Sequence, residues 1–247
     1  MGKLWDKLRG IREKHRPYCT AIIAAAGQSQ RMNGGDKLLM DLHGAPVLMW
    51  TLRALDRSSL VDEIIIAARK DLLLEIGDIC SRAALTKPIR IIKGGETRLA
   101  SVLAAAVEAD PRAELIAVHD GARPLIRTEM IDDLIRQGNN TFAVAPAVPM
   151  SDTIKMADGN GRVTATPDRK TLFAVQTPQV FQSSILKAAL QSAMDAGAQV
   201  TDDCSAVERL GKEVYLIDGD PENIKITTPL DLVIANAILE QRGGEGV

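Results

Sequence analysis

Apolar residues fall in short runs that recur along the chain, and these runs predict β-strands. Seven of them contain few polar positions: residues 20–27, 63–69, 88–95, 114–124, 141–149, 213–219 and 223–229. Between several of these runs, apolar residues recur at helical spacing, at 48–55, 71–85, 97–109, 128–137 and 185–196. Continuous apolar strands that alternate with helices are typical of a mostly parallel sheet covered on both faces. We therefore predict an α/β domain with a Rossmann-like arrangement.

One stretch departs from this pattern and predicts an antiparallel hairpin. Residues 151–169, SDTIKMADGNGRVTATPDR, place two short alternating runs on either side of ADGNG, whose residues tolerate positive φ angles. We expect this hairpin to project from the domain as an arm, at about residues 149–172. Its apolar side chains, Ile154, Met156 and Val163, form either a dimer contact or the inner face of a flap folded back on the same domain.

The beginning of the chain differs in charge from the rest. In MGKLWDKLRGIREKHR, six lysines and arginines accompany two acidic residues, and Leu4, Leu8 and Ile11 recur at helical spacing. Such a segment is either a basic amphipathic helix that contacts a membrane or partner, or, more commonly, a leader that packs on its own domain or frays. We divide the chain into a basic extension at 1–17, one domain at 18–240 that contains the arm, and a tail at 241–247.

Composition excludes several classes of protein. The 247 residues carry a formal net charge of −2, which gives no electrostatic case for binding nucleic acid or an anionic membrane. The three cysteines, Cys19, Cys80 and Cys204, show neither metal-ligand spacing nor a disulfide framework. No apolar run approaches the ~20 residues of a membrane span, and the N-terminus lacks a secretion signal. We expect a cytoplasmic protein.

The loop after the first predicted strand carries a phosphate-binding pattern of its own. Gly27 ends the apolar run, and Arg31 and Lys37 follow six residues apart. Neither G-x-G-x-x-G nor the Walker motif is present, which argues against a dinucleotide fold and a P-loop. A glycine turn with free N–H groups, followed by an arginine fork and a lysine, suits a triphosphate. Gly34 and Gly35 would let the loop fold over the ligand.

The run at 114–124 ends in a second group of polar residues. Asp120 follows the apolar strand, and a carboxylate there is the expected anchor for Mg²⁺ held jointly with phosphate oxygens. The alternative is that Asp120 caps a helix, but the following GARP favours a tight turn. Arg123 is then a candidate for a second anionic group. His119, at a strand end, is more typical of a structural hydrogen-bonding residue than of a base.

Two more strand ends and the base of the arm supply further candidates. Gly94 and Gly95 would let a flat ring lie against the backbone, with Ser101 on the helix that follows. Lys225 alternates with two isoleucines in the run 223–229, so we expect a strand that aims this lysine at the same rim. The base of the arm adds Asp168, Arg169 and Thr177.

Seven motifs together resemble those of the 2-C-methyl-D-erythritol 4-phosphate cytidylyltransferases of the non-mevalonate isoprenoid pathway. They are A-A-A-G-x-x-x-R-M…K (24–37), G-G-x-x-R-x-x-S-V (94–102), V-H-D-x-A-R-P (118–124), D-T-I-K (152–155), D-R…Q-T-P-Q-x-F (168–181), T-D-D (201–203) and N-I-K-I-T-x-P (223–229). The resemblance runs from about Thr20 to Leu239. Each motif alone is weak, but all seven occur in the family's order.

The resemblance implies a single nucleotidyltransferase domain that works as a homodimer, with the arm of one subunit reaching the site of the other. It implies transfer of CMP from CTP to 2-C-methyl-D-erythritol 4-phosphate, giving 4-diphosphocytidyl-2-C-methyl-D-erythritol and pyrophosphate, with Mg²⁺ on Asp120. The implied catalytic residues are Arg31, Lys37, Arg169 and Lys225. The implied nucleotide-binding residues are Ala25, Ala26, Gly27, Gly95, Glu96, Ser101 and Asp120. The implied acceptor-binding residues are Asp120, Arg123, Thr153, Arg169, Thr177 and Lys225, with Thr153 and Arg169 coming from the partner's arm.

Departures from the family pattern leave its charges in place. Glu96 stands where aspartate is common, and Gly121 where alanine is usual. A ribitol 5-phosphate cytidylyltransferase has similar motifs and is the alternative within the class, although the acceptor-side motifs favour methylerythritol phosphate. A non-catalytic nucleotide-binding relative is the alternative outside it, but the retained Arg31, Lys37 and Asp120 argue against it. An NAD-dependent oxidoreductase is weaker still, because the glycines it requires are missing.

Overall fold

A twisted sheet forms the centre of the computed structural model, which describes residues 16–27 and 36–243. The strands are β1 (Cys19–Ala25), β2 (Asp41–Leu42), β3 (Ala45–Pro46), β4 (Glu63–Ala68), β5 (Ile89–Lys93), β6 (Leu115–Asp120), β7 (Ala143–Pro149), β8 (Met156–Ala157), β9 (Val163–Ala165), β10 (Phe173–Val175), β11 (Gln179–Gln182) and β12 (Tyr215–Asp218). Within the described ranges, eight of them join the central sheet, while β2 pairs with β3 and β8 pairs with β9.

Helices cover both faces of this sheet. They are α1 (Val47–Arg57), α2 (Leu73–Arg82), α3 (Arg98–Glu108), α4 (Thr128–Thr141), α5 (Ser183–Asp195), α6 (Asp203–Arg209) and α7 (Pro229–Gln241). Two short 3₁₀ helices lie at Lys70–Leu72 and Arg169–Thr171. None of the helices in the described part of the chain is long and apolar enough to cross a membrane.

Four neighbouring strands of the sheet are parallel, as the continuous apolar runs predict. β1 pairs with β6 on one side and β4 on the other, and β5 pairs with the outer edge of β4. β11 then runs antiparallel between β6 and β7, and β7 also pairs with β10 and β12. The predicted α/β class is therefore confirmed, and the mostly parallel sheet carries an antiparallel insertion at β11 that the sequence analysis did not predict.

Burial on both faces explains why these strands show no polar alternation. Along β1, Ile22 faces the layer formed by α3, α5 and α6, while Ile23 faces the layer formed by α1, α2, α4 and α7. Ile65 and Ile66 divide between the same two layers along β4. All four side chains are fully buried. Because the face changes at every residue but both faces are covered, each position has to be apolar.

The prediction of a strand at 223–229 is wrong. This segment joins no sheet, and the backbone–backbone hydrogen bond that ties it to another element runs from the Ile226 N–H to the Ala122 carbonyl, at 2.8 Å. The alternation of Ile224, Lys225 and Ile226 arises because Ile226 is buried under the end of β6 while Lys225 points the other way. Thr228 then caps α7, a helix that the sequence analysis also did not predict.

The predicted hairpin is present as β8 and β9, with Gly161 at a φ of +80° in its turn. No residue from 151 to 171 is buried, and Met156 and Val163 are both more than half exposed. The arm thus adds nothing to the core of its own domain. Most of the basic extension and the last four residues lie outside the described residues, and the boundaries at 17 and 240 stay predictions.

Two helical glycines provide a test of how tightly the layers pack. A Cβ at Gly138 of α4 would lie 2.6 Å from Val180 Cγ1 in β11, whereas a Cβ at Gly77 of α2 would meet no atom within 4 Å. We predict that Gly138→Ala destabilises the protein by about 1–3 kcal/mol through overpacking. Gly77→Ala should instead stabilise it by about 0.5–1 kcal/mol through helix propensity. Urea unfolding of both variants measures these changes in the free energy of unfolding. Equal changes of the same sign would contradict the prediction.

Candidate active site

A cleft of about 470 Å³ opens where the parallel strands end. Ala25 ends β1 and residues 26–27 follow it, residues 69–70 follow β4, residues 94–98 follow β5, and Asp120 ends β6. The carboxyl ends of parallel strands meet at one edge of a sheet, and this edge is where open α/β folds bind their ligands. The cleft therefore lies where the sequence analysis placed it.

Most of the predicted site residues line this cleft. They are Ala25, Ala26, Gly27, Lys37, Gly95, Glu96, Ser101, Asp120 and Lys225. Arg31 lies outside the described residues, so its predicted role stays a prediction. Lys225 reaches the cleft from the extended segment before α7, so its predicted direction is right although the predicted strand is absent.

One wall of the cleft is backbone because no side chain fits there. A Cβ on Gly94 would lie 2.7 Å from the Cβ of Ala26, and a Cβ on Gly95 would lie 2.5 Å from the Cβ of Ala100. Ser101 beneath them is buried and donates from Oγ to the Thr97 carbonyl at 2.8 Å. Thr97 caps α3 by accepting from the Ala100 N–H. The two glycines thus allow the ends of β1 and β5 and the first turn of α3 to approach closely.

A buried carboxylate surrounded by cations lies at the centre of the cleft. Oδ2 of Asp120 lies 2.7 Å from Lys225 Nζ and 3.8 Å from Arg123 Nε, and Oδ1 lies 3.6 Å from Arg98 Nη2. Burial alone would raise the pKa of this carboxyl group. The charges of Lys225, Arg98 and Arg123 outweigh burial and hold the pKa well below its ordinary value. Asp120 is therefore ionised throughout the neutral range.

Beneath Asp120, a chain of hydrogen bonds fixes the end of β6. The Asp120 N–H donates to Thr177 Oγ1 at 3.1 Å, and Thr177 Oγ1 lies 2.9 Å from His119 Nδ1. His119 Nε2 lies 3.2 Å from the Arg123 carbonyl, which can only accept, so Nε2 carries the proton and Nδ1 accepts from threonine. Burial lowers the pKa of His119 to about 4. This histidine is neutral and structural, as its position at a strand end suggested.

The predicted acceptor-binding residues lie in three different places. Thr177 is buried in the hydrogen-bond chain, and Arg123, largely buried, donates from Nη1 to the Asn223 carbonyl at 2.6 Å. Neither side chain lines the cleft in this single chain. Thr153 and Arg169 are exposed on the arm, where Arg169 Nη1 donates to the Ser151 carbonyl. Only Lys225 and Asp120 of this set reach the cleft.

Four cations of the cleft were not among the predicted site residues: Arg69, Lys70, Lys93 and Arg98. Three of them flank the ends of β4 and β5, and Arg98 begins α3. Applying the strand-end rule to every strand, and not only to β1 and β6, would have found them. In the described part of the chain, the lining carries six lysines and arginines against Glu96 and Asp120, although the whole protein has a net charge of −2. Such a cleft suits a polyanion.

Asp120 fits a metal ion that is shared with a phosphate. The described residues contain no group of three or more His, Cys, Asp or Glu side chains able to hold a metal by themselves. Mg²⁺ does not require one, because it commonly takes one or two protein carboxylates and fills its shell with phosphate oxygens and water. Asp120 Oδ1, which is beyond hydrogen-bond distance of Arg98, is the oxygen suited to this role.

Comparisons with known proteins point to one family. The profile of the family described as IspD, 2-C-methyl-D-erythritol 4-phosphate cytidylyltransferase, matches residues 19–241. The protein of that name from Caldanaerobacter subterraneus subsp. tengcongensis is 41% identical over 228 residues, covering 90% of this chain and 99% of that protein. Its counterpart from Symbiobacterium thermophilum is 42% identical over 227 residues, covering 90% and 93%.

Solved structures with similar names share the fold of this chain. The crystal structure of 4-diphosphocytidyl-2C-methyl-D-erythritol synthase from Anaerococcus prevotii has a TM-score of 0.82 and 33% identity, and the match covers 92% of this chain and all of that chain. The 2-C-methyl-D-erythritol 4-phosphate cytidylyltransferase from Thermus thermophilus has a TM-score of 0.73 and 28% identity, with 90% and 99% covered.

The depressed pKa of His119 predicts a particular dependence of stability on pH. Between the ordinary pKa of 6.5 and about 4, the unfolded chain takes up a proton at this histidine that the folded chain does not. The free energy of unfolding should therefore fall by about 3 kcal/mol on this account as the pH drops through that window. Urea unfolding from pH 7 to pH 4 should show this loss in the wild type and not in His119→Gln. Parallel pH curves for the two proteins would contradict it.

Proposed function

The chain belongs to the 2-C-methyl-D-erythritol 4-phosphate cytidylyltransferase family, and we propose that the strand-end cleft is the place where its two substrates react. The enzyme transfers CMP from CTP to 2-C-methyl-D-erythritol 4-phosphate, giving 4-diphosphocytidyl-2-C-methyl-D-erythritol and pyrophosphate. The observation that carries the proposal is that six lysines and arginines line one cleft together with the buried Asp120, at the carboxyl edge of the sheet.

The reaction is an in-line attack by a phosphate oxygen of the acceptor on the α-phosphorus of CTP. That oxygen is already anionic at neutral pH, so no base has to remove a proton. His119, the histidine nearest the cleft among the described residues, is buried and neutral with both ring nitrogens in hydrogen bonds, which supports this reading. The protein instead has to hold two polyanions together and offset the charge that accumulates as pyrophosphate leaves.

The cleft divides into a nucleotide side and an acceptor side. On the nucleotide side, residues 25–27, Gly95, Glu96 and Ser101 surround cytosine and ribose, and Arg31 and Lys37 hold the triphosphate. Backbone N–H and C=O groups beside paired glycines can form hydrogen bonds with the edge of a flat ring, and the backbone wall at Gly94 and Gly95 offers such groups. Lys37 lines this side of the cleft, so its ammonium group can neutralise charge at the α-phosphate.

The acceptor side lies around Lys225. This lysine is partly exposed and contacts Asp120 while facing the cleft, so the phosphate of the acceptor can approach it. Arg123 and Thr177 support this side from below, and Thr153 and Arg169 complete it from the arm of a second subunit. The arm supports a homodimer because none of its residues from 151 to 171 is buried in its own domain.

A divalent cation fits between the two sides. Mg²⁺, when bound, would neutralise phosphate charge and draw the triphosphate into line for attack. Asp120 is the residue that would hold it, because its carboxylate is ionised and lines the cleft. The enzyme is proposed to work in the cytoplasm, since its three cysteines are free in the structure and do not form a disulfide.

Lys37→Ala tests the nucleotide side. We predict that this variant lowers kcat by ~10²-fold or more, the effect of losing one electrostatic donor to the transition state. Release of pyrophosphate from CTP, Mg²⁺ and methylerythritol phosphate measures it, with ribitol 5-phosphate as the acceptor control. Lys212→Ala, an exposed lysine outside the cleft, is the matched control. Turnover near the wild-type rate in Lys37→Ala would remove this lysine from its proposed role.

A mixing experiment tests whether the arm acts across subunits. Lys37→Ala and Arg169→Ala should each be nearly inactive. If Arg169 serves the neighbouring site, a mixed dimer contains one site that carries neither change, and random exchange of subunits restores roughly a quarter of the wild-type rate. The measurement is pyrophosphate release after the two proteins are co-expressed or exchanged. No recovery in a sample shown to contain mixed dimers would place Arg169 in its own subunit's site.

A further inference from the structure

Arg69 lines the nucleotide side of the cleft, but its guanidinium is already engaged by the protein. Nε and Nη2 each lie 3.1 Å from an oxygen of Asp71, so this pair is bidentate. Nη1 donates to the Gly27 carbonyl at 3.0 Å and lies 2.8 Å from Asp36 Oδ2. An arginine with all three nitrogens so occupied is poorly placed to serve as a phosphate ligand.

The register of the sheet explains how Arg69 reaches Gly27. Ala68 at the end of β4 pairs with Ala25 at the end of β1, so the residues that follow these two strands are neighbours. Asp71 lies two residues further on, in the 3₁₀ turn after Arg69, and orients the guanidinium from the opposite side. The arginine is thereby held across the end of the sheet.

Asp36 connects this arginine to Lys37. The Asp36 side chain is only 8% exposed. Its Oδ1 accepts from the Leu38 N–H and its carbonyl accepts from the Leu39 N–H, both at 3.0 Å, so Asp36 shapes the turn on which Lys37 sits. Among the described residues, Arg69 is the one charged partner of the buried Oδ2. Leu38 is buried in the core and anchors the far side of the same turn.

We propose that Arg69 is a positioning residue for CTP: by joining the Gly27 carbonyl to the Asp36 carboxylate, it sets the position of Lys37 relative to Gly27 at the end of β1. It acts through these two residues and does not bind the phosphates itself. Without it, the buried Oδ2 of Asp36 loses its charged partner and the Gly27 carbonyl loses the guanidinium donor, and the turn that carries Lys37 shifts to rehydrate them. This inference rests on the proposed assignment of this side of the cleft to CTP.

A double-mutant cycle separates positioning from direct binding. We expect Arg69→Gln and the isosteric Asp36→Asn each to raise the KM for CTP about tenfold, while the KM for methylerythritol phosphate stays within about twofold. Because both changes break the same contact, the double variant should be no worse than the poorer single variant. Arg69→Lys should not restore the KM, since one ammonium group cannot span three partners. Arg82→Gln, which breaks an exposed ion pair with Asp78 on α2, is the matched control.

Each other outcome would overturn the inference. If Asp36→Asn keeps the wild-type KM for CTP while Arg69→Gln loses it, Arg69 binds phosphate directly. If both variants raise the two KM values equally, the ion pair supports the fold in general. Should Arg69→Gln fail to fold, Asp36→Asn and calorimetric binding of CTP without acceptor still decide the question. Failure of the wild-type protein to bind CTP would contradict the proposed function instead.

Discussion

Mutual repulsion among cations is the constraint on which this site depends. Six lysine and arginine side chains converge on one cleft of the described structure, in a protein whose net charge is negative. Buried or half-buried carboxylates hold several of them in place: Asp120 holds Lys225, Asp203 holds Arg98, and Asp36 holds Arg69. In a protein interior, the attraction within such an ion pair offsets the cost of desolvating both charges only if the hydrogen bonds between them have good geometry. The carboxylates therefore fix where positive charge is presented to a polyanion.

The sheet supplies the rigidity that this arrangement needs. Strands buried on both faces cannot shift register without moving apolar residues out of both layers at once, so their carboxyl ends are held at fixed spacing. The chain from the Asp120 N–H through Thr177 to His119 then locks the end of β6 from below. The proposed mechanism, which uses positioning and charge without a proton-transferring residue, requires this kind of stiffness.

Sequence patterns revealed the parallel half of the fold more readily than the rest. Long apolar runs such as 63–69 are unambiguous, but β11 is only four residues long and has glutamine at both ends, so its burial between β6 and β7 could not be inferred. Helix α7 lacks a polar face, so its sequence does not show the helical spacing of apolar residues by which other helices are predicted. The alternation of apolar and polar residues around Lys225 arises because Ile226 is buried, although the segment is a loop and not a strand. In the site, Lys37 and Asp120 could be recognised from the sequence because they lie beside glycines or at a strand end. Arg69 and Arg98 could not, because the acids that hold them, Asp36 and Asp203, are 33 and 105 residues away in the chain.

The backbone wall at Gly94 and Gly95 limits how this enzyme can diversify. At these two positions even a methyl group would collide with Ala26 or Ala100, so a substitution cannot reshape this surface by adding a side chain. If the wall contacts the nucleobase, as proposed, a preference for a different base would have to arise at the rim of the cleft, at Glu96 and its neighbours. For an engineer, the same feature identifies residues that a library can leave out.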